Sequence, residues 1–333
     1  METPTHSVLI IGCGSIGERH LRCFLKTGRA RVAVCDTNGP LLQDVASRYE
    51  VPGFESLDAA QAGFAADAWV ICTPAQTHLG LALRGLAAGQ HLLIEKPLAV
   101  DLAQVDAVRA AIAEADRHVA VAYVYHTMPW VQDLRLALQA GIIGEPKHVT
   151  VIAGQHFPTF RPAYREIYYT RHETGGGAIQ DALTHLANMT EWLLGPTTRL
   201  YCDADHQVLD GVTVEDTVNI VARNGSTMVT YAMNQFQAPN EVDVHLHGEC
   251  GSLALQGHKR RWGVQMAGEA DWTWQIYPSV ERDDWFIRQA GYFLDGIEGK
   301  PSVLSTFEEA AQTLKFNLAA LESARTGRQI EIS

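Results

Sequence analysis

The chain has 333 residues, which is long enough for two domains of ordinary size. Hydrophobic residues make up 47% of it, a share typical of a globular protein and not of a disordered one. The net charge of −12 disfavours nucleic acid as a partner, because an acidic protein repels a phosphate backbone.

The cysteines and the N-terminus favour a cytoplasmic location. The 6 cysteines are scattered without a CxxC pair, a pattern typical of neither a disulfide framework nor a zinc site. The N-terminal segment lacks a basic stretch, and its apolar run covers only Val8–Ile11. Such a run is too short for a signal peptide or a membrane span, so we expect no membrane partner.

Residues 1–124 alternate short apolar runs with segments of helical periodicity. The predicted strands are Ser7–Ile11, Arg31–Cys35, Ala68–Cys72, His91–Ile94 and His118–Ala122. The predicted helices are Ile16–Leu25, Pro40–Tyr49, Thr77–Ala88 and Leu102–Ala115. Strands that are apolar on both faces indicate a parallel sheet covered on both sides, so this part is predicted to be an α/β Rossmann domain with a doubly wound sheet.

Residues 125–333 segregate helices from strands, which predicts an α+β domain. The predicted helices are Val131–Ala140, Gly177–Leu194, Asp284–Ile297 and Thr306–Thr326. The predicted strands are Arg199–Asp203, Thr217–Ala222, Thr227–Ala232, Glu241–His247, Ser252–Leu255 and Trp272–Ile276. Turn residues between neighbouring strands indicate hairpins and hence a large, mostly antiparallel open sheet. One face of this sheet has no predicted helical cover although its strands are rich in apolar residues, so a homodimer or homotetramer joined through it is expected.

A glycine turn follows the first predicted strand and opens the first helix. In it Gly12 permits the tight turn, Gly14 lets the backbone approach a pyrophosphate, and Gly17 allows the helix to pack on the sheet. Asp36 ends the second strand, where its carboxylate can bind ribose hydroxyls and would repel a 2′-phosphate. The pattern predicts NAD as the cofactor. Its expected contacts in the turn are Gly12, Gly14, Ser15, Ile16 and Gly17.

Two more stretches lie where predicted strands of this sheet end. Glu95, Lys96 and Pro97 follow the 91–94 strand directly, and Thr73-Pro74 follows the 68–72 strand with His78 just beyond. Ligands of open parallel sheets bind beyond the carboxyl ends of the strands. A lysine fixed there can serve a bound substrate, or it can simply mark a solvated strand end.

The segment Gly175–His185 combines three glycines with a helix. Glycines allow a helix N-terminus to approach another surface closely. Asp181 and His185 are spaced i, i+4 and should project from one helix face. A carboxylate near an imidazole raises its basicity, as a general base requires. The same spacing also suits an ordinary surface pair.

Taken together, these stretches resemble the Gfo/Idh/MocA oxidoreductases, the relatives of glucose-fructose oxidoreductase and inositol dehydrogenase. The resemblance covers nearly the whole chain and depends on the order of five pieces: Gly12–Gly17, Asp36, Cys72–His78, Glu95–Pro97 and Gly175–His185.

This resemblance implies that Lys96 hydrogen-bonds the reacting substrate hydroxyl and that His185 and Asp181 form the acid–base pair. It also implies that Thr73, Pro74, His78, Glu95 and Lys96 belong to the cofactor site. The chain departs from the family pattern at Leu183, where glycine is usual, and at Asn188, where aspartate is common. These departures affect the substrate assignment more than the acid–base pair.

Further candidates lie at the domain junction and in the loop before the glycines. The expected substrate-binding residues are Tyr125, His126, Arg161, Tyr169, Arg171 and His172. Loops 156–174 and 233–240 should shape the pocket, and the first could close over the substrate. His245 and His247 alternate on a strand, but with no third ligand at recognisable spacing no metal is expected.

The sequence therefore predicts an NAD-dependent oxidoreductase that interconverts a secondary alcohol and a ketone on a sugar, polyol or sugar derivative. Lys96, Asp181 and His185 are the expected catalytic residues. Two alternatives stay open: NAD-dependent glycosidase chemistry, in which the hydride is recycled, and a non-catalytic NAD-binding regulatory protein.

Overall fold

The computed structural model describes residues 5–333 and divides the chain into two compact units. The first unit runs to Thr127 and also contains Val280–Ala310; the second contains Met128–Ser279 and Ala311–Ser333. Segment 280–310 thus groups with the first unit, whereas the sequence pattern placed everything after residue 124 in the second. The segment belongs to the first unit because its Phe293 and Leu294 are buried in the same apolar cluster as Phe24.

The strands agree closely with the predicted runs, and several further ones appear. In the first unit they are β1 (His6–Ile11), β2 (Ala30–Cys35), β3 (Gly53–Phe54), β4 (Ala68–Ile71), β5 (His91–Ile94) and β6 (Val119–Val121). In the second they are β7 (Pro146–Gly154), β8 (Thr197–Asp205), β9 (Thr217–Asn224), β10 (Thr227–Asn234), β11 (Glu241–Gly248), β12 (Gly251–Gln256), β13 (Arg261–Met266) and β14 (Thr273–Ile276). Two short strands follow, β15 (Ser305–Thr306) in the first unit and β16 (Ile330–Glu331) in the second.

The sheet of the first unit has the order β15-β6-β5-β4-β1-β2-β3, and β1 to β6 pair in parallel. Buried apolar residues fill its central strands, so helices must cover both faces. The order reverses at β1: the chain continues outward from β1 through β2 and β3, and then crosses back from β3 to β4 on the other side of β1. This is the switch point at which doubly wound sheets bind ligands, and the Rossmann prediction is confirmed.

The helices are α1 (Ser15–Lys26), α2 (Gly39–Tyr49), α3 (Leu57–Gly63), α4 (His78–Ala87), α5 (Val105–Ala115), α6 (Pro129–Gln139), α7 (Phe157–Phe160), α8 (Thr184–Leu194), α9 (Arg282–Ile297) and α10 (Phe307–Thr326). Eight of these helices lie close to predicted ones, and the short α3 and α7 were not predicted. Arg22 of α1 forms an ion pair with Asp283 of α9, with its Nε 2.5 Å from the carboxylate, and this pair adds to the packing that holds α9 in the first unit. In residues 5–333 no helix is both long and apolar enough to cross a membrane.

The sheet of the second unit has the order β14-β13-β12-β11-β7-β10-β9-β8-β16 and is antiparallel except where β7 runs parallel to β10. This confirms the predicted large, mostly antiparallel sheet. Its strands alternate buried and exposed residues along their length, as a sheet with one covered face requires. On the covered face Tyr231 packs against Phe316 of α10, with ring centroids 5.6 Å apart.

The opposite face of this sheet carries partly exposed apolar side chains. Val221 is 55% and Met228 is 51% exposed, and Ile152 and Tyr201 are exposed on neighbouring strands. We call these four residues the outer apolar patch.

Candidate active site

The glycine turn has the geometry that a dinucleotide site needs. Gly12 has φ +98°, and a Cβ there would lie 2.7 Å from the carbonyl oxygen of Cys72. A Cβ on Gly17 would lie 1.8 Å from the carbonyl oxygen of Gly12, so helix α1 can approach the turn only without one. Gly14 is exposed and a Cβ there would meet nothing within 4 Å, which leaves room for a pyrophosphate. The residues present therefore fit the cofactor.

Asp36 lies where β2 ends and is held by the main chain. Its Oδ2 accepts a hydrogen bond from the backbone N–H of Cys13 at 2.6 Å, and its Oδ1 accepts one from that of Asn38 at 2.8 Å. These two main-chain donors fix the orientation of the carboxylate. A fixed negative charge beside the ribose position favours NAD over its 2′-phosphorylated form.

Glu95 is an internal anchor at the end of β5. It is only 5% exposed, and its Oε1 lies 2.8 Å from Nε2 of the fully buried His20 on α1. Its Oε2 accepts the backbone N–H of Lys96 at 2.9 Å. Burial alone would raise the pKa of Glu95, but the hydrogen bond and charge of His20, together with Lys96, outweigh it and lower that pKa. The ionised Glu95 thus fixes the backbone of Lys96 to helix α1.

His78 braces two loops at the same sheet edge. Its Nε2 lies 2.8 Å from the carbonyl oxygen of Thr73, and its Nδ1 lies 3.0 Å from that of Pro97. Burial lowers the pKa of His78, so the neutral ring donates its single N–H to one of these carbonyls at a time. The Thr73 loop and the Lys96–Pro97 loop are therefore tied together by an internal residue.

In the second unit, two of the three glycines allow a close approach of neighbouring segments, as the sequence suggested they could. A Cβ on Gly176 would lie 2.2 Å from the carbonyl oxygen of Tyr169, and one on Gly177 would lie 2.5 Å from Oε1 of Glu215. Gly177 also has φ +85°, which disfavours any side chain. The helix that follows begins with a π-turn, Ile179–Leu183, and continues as α8. Such turns occur frequently at functional sites.

Asp181 lies in this π-turn and is fully buried, with 0% exposure. Its Oδ2 accepts a hydrogen bond from Nη1 of Arg161 at 2.9 Å, and its Oδ1 accepts one from the hydroxyl of Tyr168 at 2.6 Å. Both donors come from the loop before the glycines. Because a buried carboxylate needs such partners, Asp181 holds this loop against the helix.

The remaining candidates occupy varied environments. His185 is partly buried in the first turn of α8, and Tyr125 is partly buried after β6. Arg171 is exposed. His172 is about half exposed, and its Nε2 lies 2.5 Å from Oε2 of Glu215.

Tyr169 and His126 have internal positions that differ from the expected substrate-facing ones. Tyr169 is 1% exposed, packs between Phe157 and Tyr164, and donates its hydroxyl hydrogen to Gln235. His126 is fully buried with Nδ1 3.0 Å from the carbonyl oxygen of Val303. Sequence alone gives no burial for an irregular segment, so a buried loop tyrosine cannot be told from an exposed one.

Sequence reasoning missed His20, Tyr168 and Glu215. His20 sits on the buried side of α1 beside Phe24, with ring centroids 6.5 Å apart, and so appeared as an ordinary core position. Tyr168 and Glu215 lie in irregular segments, where no periodicity indicates contacts. The one available sequence signal for Glu215 was a glutamate next to an aspartate directly before an alternating strand.

Two groups of side chains contain potential metal ligands. His245 and His247 lie on the sheet with their rings stacked, and their ring centroids are 6.2 Å apart. Ligand atoms of another set, Glu241, Asp243 and His258, lie within 4.8 Å of one another. Asp243 already accepts a hydrogen bond from Gln256 at 2.8 Å, and Glu241 accepts one from Gln237 at 3.0 Å. We assign no metal to either set.

Fold, glycine turn and Asp36 together define an NAD-binding Rossmann oxidoreductase. Residues 6–123 match the model of an oxidoreductase family with an NAD-binding Rossmann fold, and residues 131–254 match the GFO/IDH/MocA C-terminal domain. The chain belongs to the GFO/IDH/MocA family, as its resemblance implied.

Named relatives and solved structures extend along the whole chain. It is 24% identical to an inositol 2-dehydrogenase of Rhizobium meliloti (strain 1021), over 97% of this chain and 98% of the relative. It is 27% identical to a D-apiose dehydrogenase of Paraburkholderia graminis, over 97% and 88%. A levoglucosan dehydrogenase in complex with NADH and levoglucosan has the same fold, with a TM-score of 0.87, 20% identity, and coverage of 98% of this chain and 99% of that one.

Proposed function

We propose that the protein is an NAD-dependent oxidoreductase that interconverts a secondary alcohol and a ketone on a sugar, polyol or sugar derivative. The observation that carries the proposal is the glycine turn with its main-chain-held Asp36, in a chain whose two parts both match the family. The named relatives act on inositol, apiose and levoglucosan, which are all polyhydroxylated.

Bound NAD⁺ supplies an acceptor for the hydride that leaves the substrate carbon. In the proposed mechanism His185 takes the proton of the reacting hydroxyl as general base. The ammonium of Lys96 stabilises the negative charge that develops on the oxygen. Glu95 supports this role because its buried carboxylate accepts a hydrogen bond from the Lys96 backbone N–H and so fixes that backbone.

The contacts of Asp181 indicate a second role beside the tuning of His185. A carboxylate near His185 in sequence favours the imidazolium and so raises its basicity. The same carboxylate forms an ion pair with Arg161 and accepts a hydrogen bond from Tyr168, and these contacts tie it to the loop. We therefore propose that Asp181 both tunes His185 and orders the loop that contains Arg161, Tyr168, Arg171 and His172, where substrate hydroxyls would bind.

The test is a panel of free sugars, inositols, their phosphates and aryl glycosides, each incubated with NAD. We expect net formation of NADH, seen by absorbance, with at least one free sugar or polyol. Glycoside cleavage without net NADH would instead support the glycosidase alternative. Saturable NAD binding with no turnover of any compound would support a regulatory protein.

We also propose a cytoplasmic homodimer or homotetramer. The outer apolar patch supports assembly, since monomers rarely expose contiguous apolar surface. All cysteines lie in the described part of the chain and are free, which suits a reducing compartment. Cell fractionation with a compartment marker tests the location, and light scattering tests the assembly.

A further inference from the structure

Glu215 connects three segments of the second unit. It precedes strand β9 and is buried, with its side chain 6% exposed. Its Oε1 accepts the backbone N–H of Ile179 at 2.9 Å, and its own carbonyl oxygen accepts that of Ala178 at 2.9 Å. These N–H groups belong to the first turn of the helix that carries Asp181 and His185, a turn whose donors have no partner within the helix.

The second carboxylate oxygen of Glu215 reaches the loop. Its Oε2 lies 2.5 Å from Nε2 of His172, and the backbone carbonyl of His172 accepts a hydrogen bond from Nε2 of Gln180 at 3.0 Å. One buried carboxylate thus joins the helix start to the loop before the glycines. Charge-assisted bonds of this kind are stronger than neutral ones.

The position of the Glu215 carboxylate explains why residue 177 is a glycine. A Cβ on Gly177 would lie 2.5 Å and 2.6 Å from the two carboxylate oxygens of Glu215, so only glycine admits the carboxylate to the helix start. Within the glycine run, Gly177 therefore makes room for the Glu215 side chain, whereas Gly176 makes room for the carbonyl oxygen of Tyr169.

We propose that Glu215 is a positioning residue for the reaction. It fixes the helix that carries Asp181 and His185 and, through His172, it also fixes loop 156–174. This inference rests on the proposed function for its kinetic part. In the proposed mechanism Glu215 contacts no reacting atom, so it acts through the helix and the loop that it holds in place.

The kinetic test uses four variants of the full chain, assayed with NAD and the best substrate of the panel. Glu215→Ala removes both links, and kcat/KM should fall about 10- to 100-fold with much of the loss in kcat. His172→Gln removes the loop link together with any contact of His172 to the substrate, and KM should rise roughly 2- to 5-fold with kcat nearly unchanged. Glu215→Gln keeps an acceptor for Ile179 but loses the charge, so it should resemble His172→Gln.

Glu166→Gln is the matched control, because it neutralises an exposed carboxylate of the same loop. It should behave as wild type. The double variant Glu215→Gln/His172→Gln should be no worse than either single change, since both remove one interaction. Additive effects would overturn the link to the loop.

A second measurement needs no turnover and separates this inference from the proposed function. Amide hydrogen exchange at residues 177–183 should be faster in Glu215→Ala than in wild type and Glu166→Gln, with circular dichroism unchanged. If Glu215→Ala does not fold, the same comparison is made with Glu215→Gln and His172→Gln at residues 168–176. Exchange like that of the control in all of these variants would overturn the inference, whether or not any sugar reduces NAD.

Discussion

At the scale of single residues, the site is built from buried groups that hold functional ones. Glu95 fixes the Lys96 backbone, His78 braces the loops at Thr73 and Pro97, and Asp181 anchors Arg161 and Tyr168. The functional candidates were visible in the sequence because they interrupt apolar patterns. The residues that hold them in place were not visible in the sequence, because His20 and Glu215 contact residues that are far away along the chain.

Cofactor choice should depend on Asp36. Its carboxylate is held by two backbone N–H groups and would repel a 2′-phosphate, so catalytic efficiency with NAD should exceed that with NADP by at least about tenfold. Asp36→Asn should narrow this preference, whereas the exposed Asp44→Asn should not. Comparable efficiency of the wild type with both cofactors would disprove this reading.

We propose that His185 transfers the proton of the reacting hydroxyl. His185→Ala should lower kcat by about 10²–10⁴-fold and leave the dissociation constant of NAD almost unchanged, because a general base acts on the substrate hydroxyl. Lys96→Ala should also lose turnover, since the developing charge loses its ammonium partner. Steady-state kinetics and NAD titration check both, with folding verified by circular dichroism. A folded His185→Ala protein with near wild-type turnover would remove the mechanism.

At the scale of elements, most strands and helices of the first unit were predictable because apolar periodicity and the glycine turn agree, the exceptions being the short β3, α3 and β15. Strand β7 was not, although it lies at the centre of the second sheet. Its sequence begins with proline and alternates exposed and buried positions only weakly. The short helical turns of loop 156–174 were also missed, because side-chain bonds to Asp181 and Glu215 order them instead of their own periodicity.

The contact of that loop with Glu215 should depend on pH. The hydrogen bond and charge of Glu215, with a smaller contribution from Glu173, raise the pKa of His172 above its ordinary value of 6.5. A raised pKa in the folded state means that the pair stabilises the fold fully below about pH 6.5 and that this contribution is lost as pH rises through the folded value.

We therefore expect His172→Gln to lower the denaturant midpoint at acid pH and to match wild type at alkaline pH. Denaturation of both proteins across this range, followed by fluorescence, makes the comparison. A difference between them that grows toward alkaline pH would contradict the assignment.

At the scale of the whole molecule, the second unit leaves one sheet face with apolar side chains exposed. Val221→Lys and Met228→Glu place charges in the outer apolar patch, where burial against a second copy would be costly. We expect both variants to shift the mass by light scattering from an oligomer to the monomer, with an unchanged circular dichroism spectrum. Leu136→Lys, at an exposed position on α6, serves as control. A wild-type protein that is monomeric at micromolar concentration would refute the assembly.

In the proposed reaction a hydride passes from a substrate carbon to NAD. Its most direct test uses the best sugar or polyol of the panel with deuterium at the carbon that bears the reacting hydroxyl. After a single turnover, deuterium should be found at C4 of the nicotinamide in the NADH formed, detected by nuclear magnetic resonance, together with the ketone product. Deuterium that stays in the product sugar, or that appears only in water, would contradict it.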